Sequence, residues 1–146
     1  MSKEIAYPAL YLRRGEDARL RGGHLWVFSN EVDVARSPLT QFQPGEACVI
    51  VDAADKPLGV GYVNPNSLIS ARLVNRGIGH AIDRSLIVHK LKVALSLRAS
   101  LYVEPYYRLV YGESDGLPGL TVDRFDDVVV AQATTAGMEQ IGRAHV

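Results

Sequence analysis

The apolar positions of this chain come in short runs cut by turn-forming residues until about residue 75, and then change period. Ala9-Leu10-Tyr11-Leu12, Leu25-Trp26-Val27-Phe28, Ala47-Cys48-Val49-Ile50-Val51 and the stretches 58–63 and 68–74 each read as a strand. Turn formers gather between them. Ser37-Pro38 and Gln43-Pro44-Gly45 bracket a loop, residues 52–57 turn the chain, and Asn64-Pro65-Asn66-Ser67 turns it again. Residues 13–21 have room for one or two helical turns, ended at Gly22-Gly23. Short strands at this spacing predict a small antiparallel barrel or sandwich.

Asn75-Arg76-Gly77-Ile78-Gly79 reads as a linker, and beyond it the pattern becomes helical. Asp83 stands where an N-cap belongs, with a carboxylate able to accept from first-turn amides. Over residues 84–101, Ser85, His89, Lys92, Ser96 and Ser100 recur at helical spacing as one narrow polar stripe. Leu86, Ile87, Val88, Leu91, Val93, Ala94, Leu95, Leu97 and Leu101 fill most of the remaining circumference. Such a helix expects cover on more than one side, and the rest of the chain offers little to provide it. After Pro105 a β-meander is predicted: a strand over 107–111, a turn-rich loop over 112–119, a half-buried strand over 120–125, a tight turn at Asp126-Asp127, and a return over 128–131. Thr134 or Thr135 is placed to cap a further helix.

Composition narrows the class. At 47% hydrophobic and 22% charged residues the chain is globular and not disordered. There is no apolar run of membrane-spanning length, and the charged start lacks the pattern of a secretory signal. The single Cys48 excludes an internal disulfide and any multi-cysteine metal site. A cytoplasmic location with no membrane attachment is expected. Sixteen basic residues balance sixteen acidic ones, so contact with a polyanion would need a local patch. The helix carries Arg84, Lys90, Lys92 and Arg98 against Asp83, whereas residues 104–146 are acid-rich.

Several residue patterns suggest chemistry. Gly112-x-Ser114-x-Gly116 matches the nucleophile elbow of serine hydrolases, which requires a helix directly after the serine. Leu117-Pro118-Gly119 and another strand follow instead, so a loop is expected and a small serine hydrolase using Ser114 is the weaker alternative. Glu113 and Asp115 read as turn-capping carboxylates sooner than as an acid/base pair. Cys48 lies in an apolar run and reads as a buried, inert thiol. His24, His80, His89 and His145 show no metal-ligand spacing. No catalytic, cofactor-binding or metal residue is assigned.

Arg13, Arg14, Arg19 and Arg21, with His24 close behind, form the densest basic cluster. Their guanidinium groups suit phosphate, and a solvated helix face balanced by Glu16 and Asp17 explains them equally well. Arg72 and Arg76 are secondary candidates. Trp26 and Phe28 alternate with Leu25 and Val27. Phe28 reads as core, while Trp26 is either core or a platform for an unpaired base. His89 and Lys92 on the helix stripe read as a solvated face.

Two stretches carry a family resemblance. Gly23-His24-Leu25-Trp26-Val27-Phe28-Ser29 with Pro44-Gly45-Glu46, and Gly112-Glu113-Ser114-Asp115-Gly116-Leu117-Pro118-Gly119-Leu120-Thr121-Val122-Asp123-Arg124-Phe125, resemble the S-adenosylmethionine-dependent cytosine-C5 methyltransferases of large-subunit (23S) ribosomal RNA. The resemblance runs over residues 9–139. It departs at Leu25, where the family usually has Pro, and at Asp126, where Gly is common and takes positive φ more readily.

The resemblance implies an α+β chain. Residues 1–76 would form a PUA-like β-barrel that binds RNA, and residues 77–140 the first part of a mixed α/β domain with one long helix and a β-meander. The Rossmann-like methyltransferase domain of the family, with its catalytic cysteine and S-adenosyl-L-methionine site, is expected to be absent. Ile141-Gly142-Arg143-Ala144-His145-Val146 reads as the translation of ATC GGA AGA GCA CAC GTC, a sequencing-adapter sequence, so residues 141–146 are expected to be a non-native tail. The implied function is to position ribosomal RNA for a catalytic domain lying elsewhere, with no methyl transfer by this chain alone. The implied RNA-binding residues are Arg13, Arg14, Arg19, Arg21, His24, Trp26 and Arg72. A free-standing PUA-type RNA-binding module is the main alternative.

Overall fold

The computed structural model describes residues 6–77 and 81–144. His80, His145 and the end of the linker at Ile78-Gly79 lie outside the described residues, as does the last part of the expected tail. The chain divides into two compact units, residues 1–82 and 83–146.

In the first unit, β1 (Ala9–Tyr11), β2 (Trp26–Phe28), β3 (Glu46–Val51), β4 (Pro57–Val63) and β5 (Ile69–Asn75) form one sheet in the order β1-β3-β4-β5-β2. The expectation of an all-antiparallel arrangement is corrected here, because β1 pairs with β3 in parallel, Leu10 opposite Ile50. The reason lies in the connection. A parallel pair needs a long crossover, and the chain between β1 and β3 is occupied by the short helix α1 (Ala18–Arg21), β2 and two 3-10 turns. The two edge strands are tied together just past their ends. Leu12 bridges Val32, the Arg13 N–H donates to the Glu31 carbonyl at 2.9 Å, and the Asp33 N–H donates to the Tyr11 carbonyl at 2.8 Å. The sheet therefore curls into a partly closed barrel.

Its interior holds Leu10, Leu12, Leu20, Val27, Val32, Phe42, Cys48, Ile50, Val63, Ala71 and Leu73. Cys48 and Ile50 of β3, and Ala71 and Leu73 of β5, reach it by strand alternation, while Val60, Tyr62 and Val74 at the intervening positions are buried as well. Gly61 in β4 sits so close to β5 that an added Cβ would lie 2.1 Å from the Arg72 carbonyl oxygen. Only glycine allows the two strands this approach.

In the second unit, α2 (Arg84–Leu101) begins at Asp83, whose carboxylate accepts from the Leu86 N–H at 2.9 Å. The strands β6 (Tyr106–Tyr111), β7 (Leu120–Phe125) and β8 (Val128–Ala133) make an antiparallel meander, followed by α3 (Ala136–Ala144). The Thr135 hydroxyl caps α3 by accepting from the Met138 N–H at 3.2 Å. At the β7–β8 turn Asp126 holds φ at 60°, the left-handed conformation that glycine adopts with least strain. Within α2 only Ile87 and Ala94 are buried, whereas Val93, Leu95, Leu97 and Leu101 are exposed, as are all residues of β8. Of the apolar circumference expected to need cover, the part made by Val93, Leu95, Leu97 and Leu101 is uncovered, while Leu86, Val88 and Leu91 are half-buried.

Candidate functional site

α1 and the residues before it carry the basic cluster, and most of its arginines bind carboxylates or carbonyls of the same unit. Arg19 donates to Glu31 at 2.7 Å and lies over the Phe28 ring, 4.8 Å from its centroid. Glu31 is buried, and the same Oε1 accepts from the Phe28 N–H at 2.8 Å. Arg21 donates to Asp17 at 2.5 Å and to Asp52 at 2.6 Å. The Asp17 hydrogen bond first, and Asp52 after it, raise Arg21 above its ordinary pKa against the effect of burial. Asp52 is held below the usual carboxylate range. The Lys56 N–H at 2.8 Å contributes most, burial opposes it, and the Ala54 N–H and Arg21 add to the lowering. Arg13 donates to the Val32 carbonyl at 3.2 Å. Arg14 and His24 are exposed, and their side chains make no hydrogen bond or ion pair among the described residues.

Trp26 and Arg72 sit directly opposite each other in the β2–β5 pairing. The run Leu25-Trp26-Val27-Phe28 resolves by alternation: Val27 turns into the core and Trp26 turns out, 38% exposed. The Arg72 guanidinium lies 5.8 Å from the Trp26 centroid, and Trp26 meets Phe28 edge-on at 6.3 Å. Arg72, Trp26, Phe28 and Arg19 thus form a ladder of two rings in contact, flanked at each end by a cation, along β2. Phe28, expected in the core, is half-buried beneath Arg19.

Two residues organise this face: Arg76, a secondary candidate from the sequence, and Glu31, which lay outside the expected set. Arg76 donates to the carbonyls of Leu20 at 2.6 Å and His24 at 3.3 Å, closing the C-terminal end of α1. That role suits a cation at a helix C-terminus. Glu31 fixes Arg19, and a carboxylate three residues after Phe28 that ties back its amide was the available sequence signal. Arg36, paired with Asp55 at 2.6 Å, lies over Tyr11 at 3.8 Å, and no local pattern marked it.

The other candidates take structural places. Cys48 is fully buried, and burial pushes its thiol up to about 12. Ser114 lies in a 3-10 turn between β6 and β7, with no helix after it and no histidine hydrogen-bonded to it among the described residues. Asp115 is engaged by Arg98 through its two terminal guanidinium nitrogens, at 2.5 and 2.9 Å. No cluster of three or more His, Cys, Asp or Glu able to hold a metal is found among the described residues. The glycine-rich segment 112–119 joins two antiparallel strands instead of leading a strand into a helix. That segment is therefore not the strand–turn–helix that cradles phosphate and nucleoside groups in nucleotide-binding folds. Among the described residues, no helix is long and apolar enough to cross a membrane.

The curled sheet, with its two edges tied at Leu12 and Val32, is matched by a known family model. Residues 10–76 match the PUA-like domain. This PUA-like domain contains every expected site residue. The chain is also homologous to proteins named ribosomal RNA large subunit methyltransferase I. It is 37% identical to the Aliivibrio fischeri protein over 134 residues and 39% identical to the Klebsiella pneumoniae protein over 136 residues. These alignments cover 90% and 91% of this chain and 33% of each relative. A ribosomal RNA large subunit methyltransferase from Deinococcus radiodurans is 36% identical over 138 residues. The chain spans about a third of the length of these curated relatives. Among solved structures, a candidate SAM-dependent methyltransferase from Streptococcus mutans superimposes with a TM-score of 0.76 at 16% identity, covering 93% of this chain and 35% of that one. A candidate methyltransferase solved with SAH gives the same values. At this identity the likeness speaks for the fold alone.

Proposed function

We propose that this chain is the RNA-positioning part of a ribosomal RNA methyltransferase, with residues 1–76 making the RNA contact and residues 77–140 beginning the next domain. The observation that carries the reading is the Arg72–Trp26–Phe28–Arg19 ladder on the PUA-like domain. A partly exposed indole held beside a guanidinium offers an unpaired base a stacking surface, and base–aromatic stacking contributes about 1–3 kcal/mol per base. Arg14 and His24, both exposed, supply further donors that are not already engaged among the described residues. Arg13, Arg19 and Arg21 act on RNA through the guanidinium nitrogens left over from their internal contacts. Methyl transfer from S-adenosyl-L-methionine to a cytosine C5 belongs, in this reading, to a separate catalytic domain, and residues 141–146 are a non-native tail. The work is cytoplasmic.

Trp26 is the only tryptophan, so its fluorescence reports this face alone. Titration with a transcript of large-subunit ribosomal RNA is expected to quench it, and Trp26→Ala to weaken binding about 5- to 150-fold. Equal affinity for unrelated unstructured RNA, with no quenching, would overturn the reading. Incubation with labelled S-adenosylmethionine and unmodified large-subunit RNA is expected to leave the RNA unlabelled; methyl incorporation by this chain would refute the division of labour.

A further inference from the structure

α2 contains four cations and no acidic residue, and the structure divides those cations into two pairs. Arg98 is neutralised by Asp115. Lys90 is half-buried, and its Nζ would stand 2.7 Å from a Cβ added to Gly116. Burial lowers its pKa. Arg84 and Lys92 are the other two. Both are exposed, and neither has an ion-pair partner among the described residues.

These two cations line one open cavity of about 540 Å³ together with Ser85, Val88 and His89. Helical spacing explains the grouping: Ser85, His89 and Lys92 follow one ridge, and Arg84, Val88 and Lys92 the next. Among the described residues, no carboxylate lines the cavity. Asp83, the nearest acid along the helix, has its side chain on the Leu86 N–H. Arg84 and Lys92 are eight residues apart, so they span about 12 Å of helix at the standard rise. Ser85 and His89 lie between them in sequence.

We propose that this stripe of α2 is a second phosphate-binding surface that holds the phosphodiester backbone of the RNA engaged by the PUA-like domain. The inference rests on the RNA-binding reading above. Arg84 and Lys92 provide the charge, while Ser85 and His89 provide hydrogen bonds to phosphate oxygens. The contact carries no base information, because nothing in the lining is arranged to read a base edge.

The test is the salt dependence of binding to the same ribosomal transcript, followed by fluorescence anisotropy of labelled RNA beside Trp26 quenching. The double variant Arg84→Ala/Lys92→Ala is expected to flatten the slope of log affinity against log salt by about 1 to 2, since each neutralised phosphate contributes about 0.7 to 0.9. Affinity for matched and scrambled sequences is expected to fall by a common factor, with the quenching amplitude at saturation unchanged. Both substituted side chains are exposed, and a second variant, Arg84→Lys, is expected to retain the slope. If wild-type chain binds and quenches but the double variant keeps its slope, the second surface is refuted while the first stands. If inorganic phosphate shifts the NMR signals of Arg84 and Lys92 and the RNA slope is unmoved, the stripe is a small-anion site and the RNA assignment falls. Absence of RNA binding by the wild-type chain overturns both readings.

Discussion

Arg98 and Asp115 meet through a fork of two hydrogen bonds, Nη1 to Oδ1 at 2.5 Å and Nη2 to Oδ2 at 2.9 Å, joining the last turn of α2 to the loop between β6 and β7. The same carboxylate accepts from the Tyr111 N–H at 2.7 Å, so one side chain ties together helix, strand and loop. Both side chains are largely buried.

Burial alone would push the Asp115 carboxyl up, but Arg98 and the Tyr111 N–H outweigh it and hold the pKa below its ordinary value. The unfolded chain then binds more protons across the interval between the two values. The stabilisation is complete above the ordinary carboxylate pKa of about 4 and is lost as pH falls below it through the native value. The protection factor of the Tyr111 amide, taken against its intrinsic exchange rate at each pH, is expected to fall over that acidic range. Asp115→Asn is expected to remove this pH dependence and to cost about 2–4 kcal/mol at neutral pH, because it leaves Arg98 unpaired. Wild-type pH dependence persisting in the variant would show that another group is responsible.

Gly61→Ala is expected to destabilise the PUA-like domain by about 1–3 kcal/mol, since the new methyl would meet the Arg72 carbonyl and push β5 from β4. Arg72 carries its guanidinium over Trp26, so RNA affinity should fall as well. Urea unfolding followed by Trp26 fluorescence measures the first effect. An unchanged midpoint would show that the strands separate without strain.

Cys48 is expected to resist thiol reagents in the native state well into alkaline pH, because burial holds its pKa at about 12 and the thiolate is the reactive form. Labelling with a disulfide reagent should proceed only as fast as the first unit opens, and should become rapid in denaturant. Fast labelling of the folded chain would place the thiol nearer solvent than the barrel core allows.

The sequence by itself determined the features that depend on near neighbours. α2 runs over Arg84–Leu101 with Asp83 as its cap, the meander follows Pro105, and Thr135 caps α3, because caps and turns act across three or four residues. The sparse cover of α2 was legible for the same reason, from helical periodicity alone. Only the tertiary structure decided the rest. The parallel pairing of β1 with β3 depends on a crossover whose path no local pattern specifies. The outward turn of Trp26 depends on register against Arg72, since four consecutive apolar residues carry no mark of which side faces the core. The fate of each arginine was set by carboxylates and carbonyls brought in by the fold. Glu31 and Asp52 engage Arg19 and Arg21, and the Leu20 carbonyl receives Arg76. An ion pair forms where the backbone brings two groups within a few ångströms, and in this chain Arg21 and Asp52 meet across 31 residues of sequence.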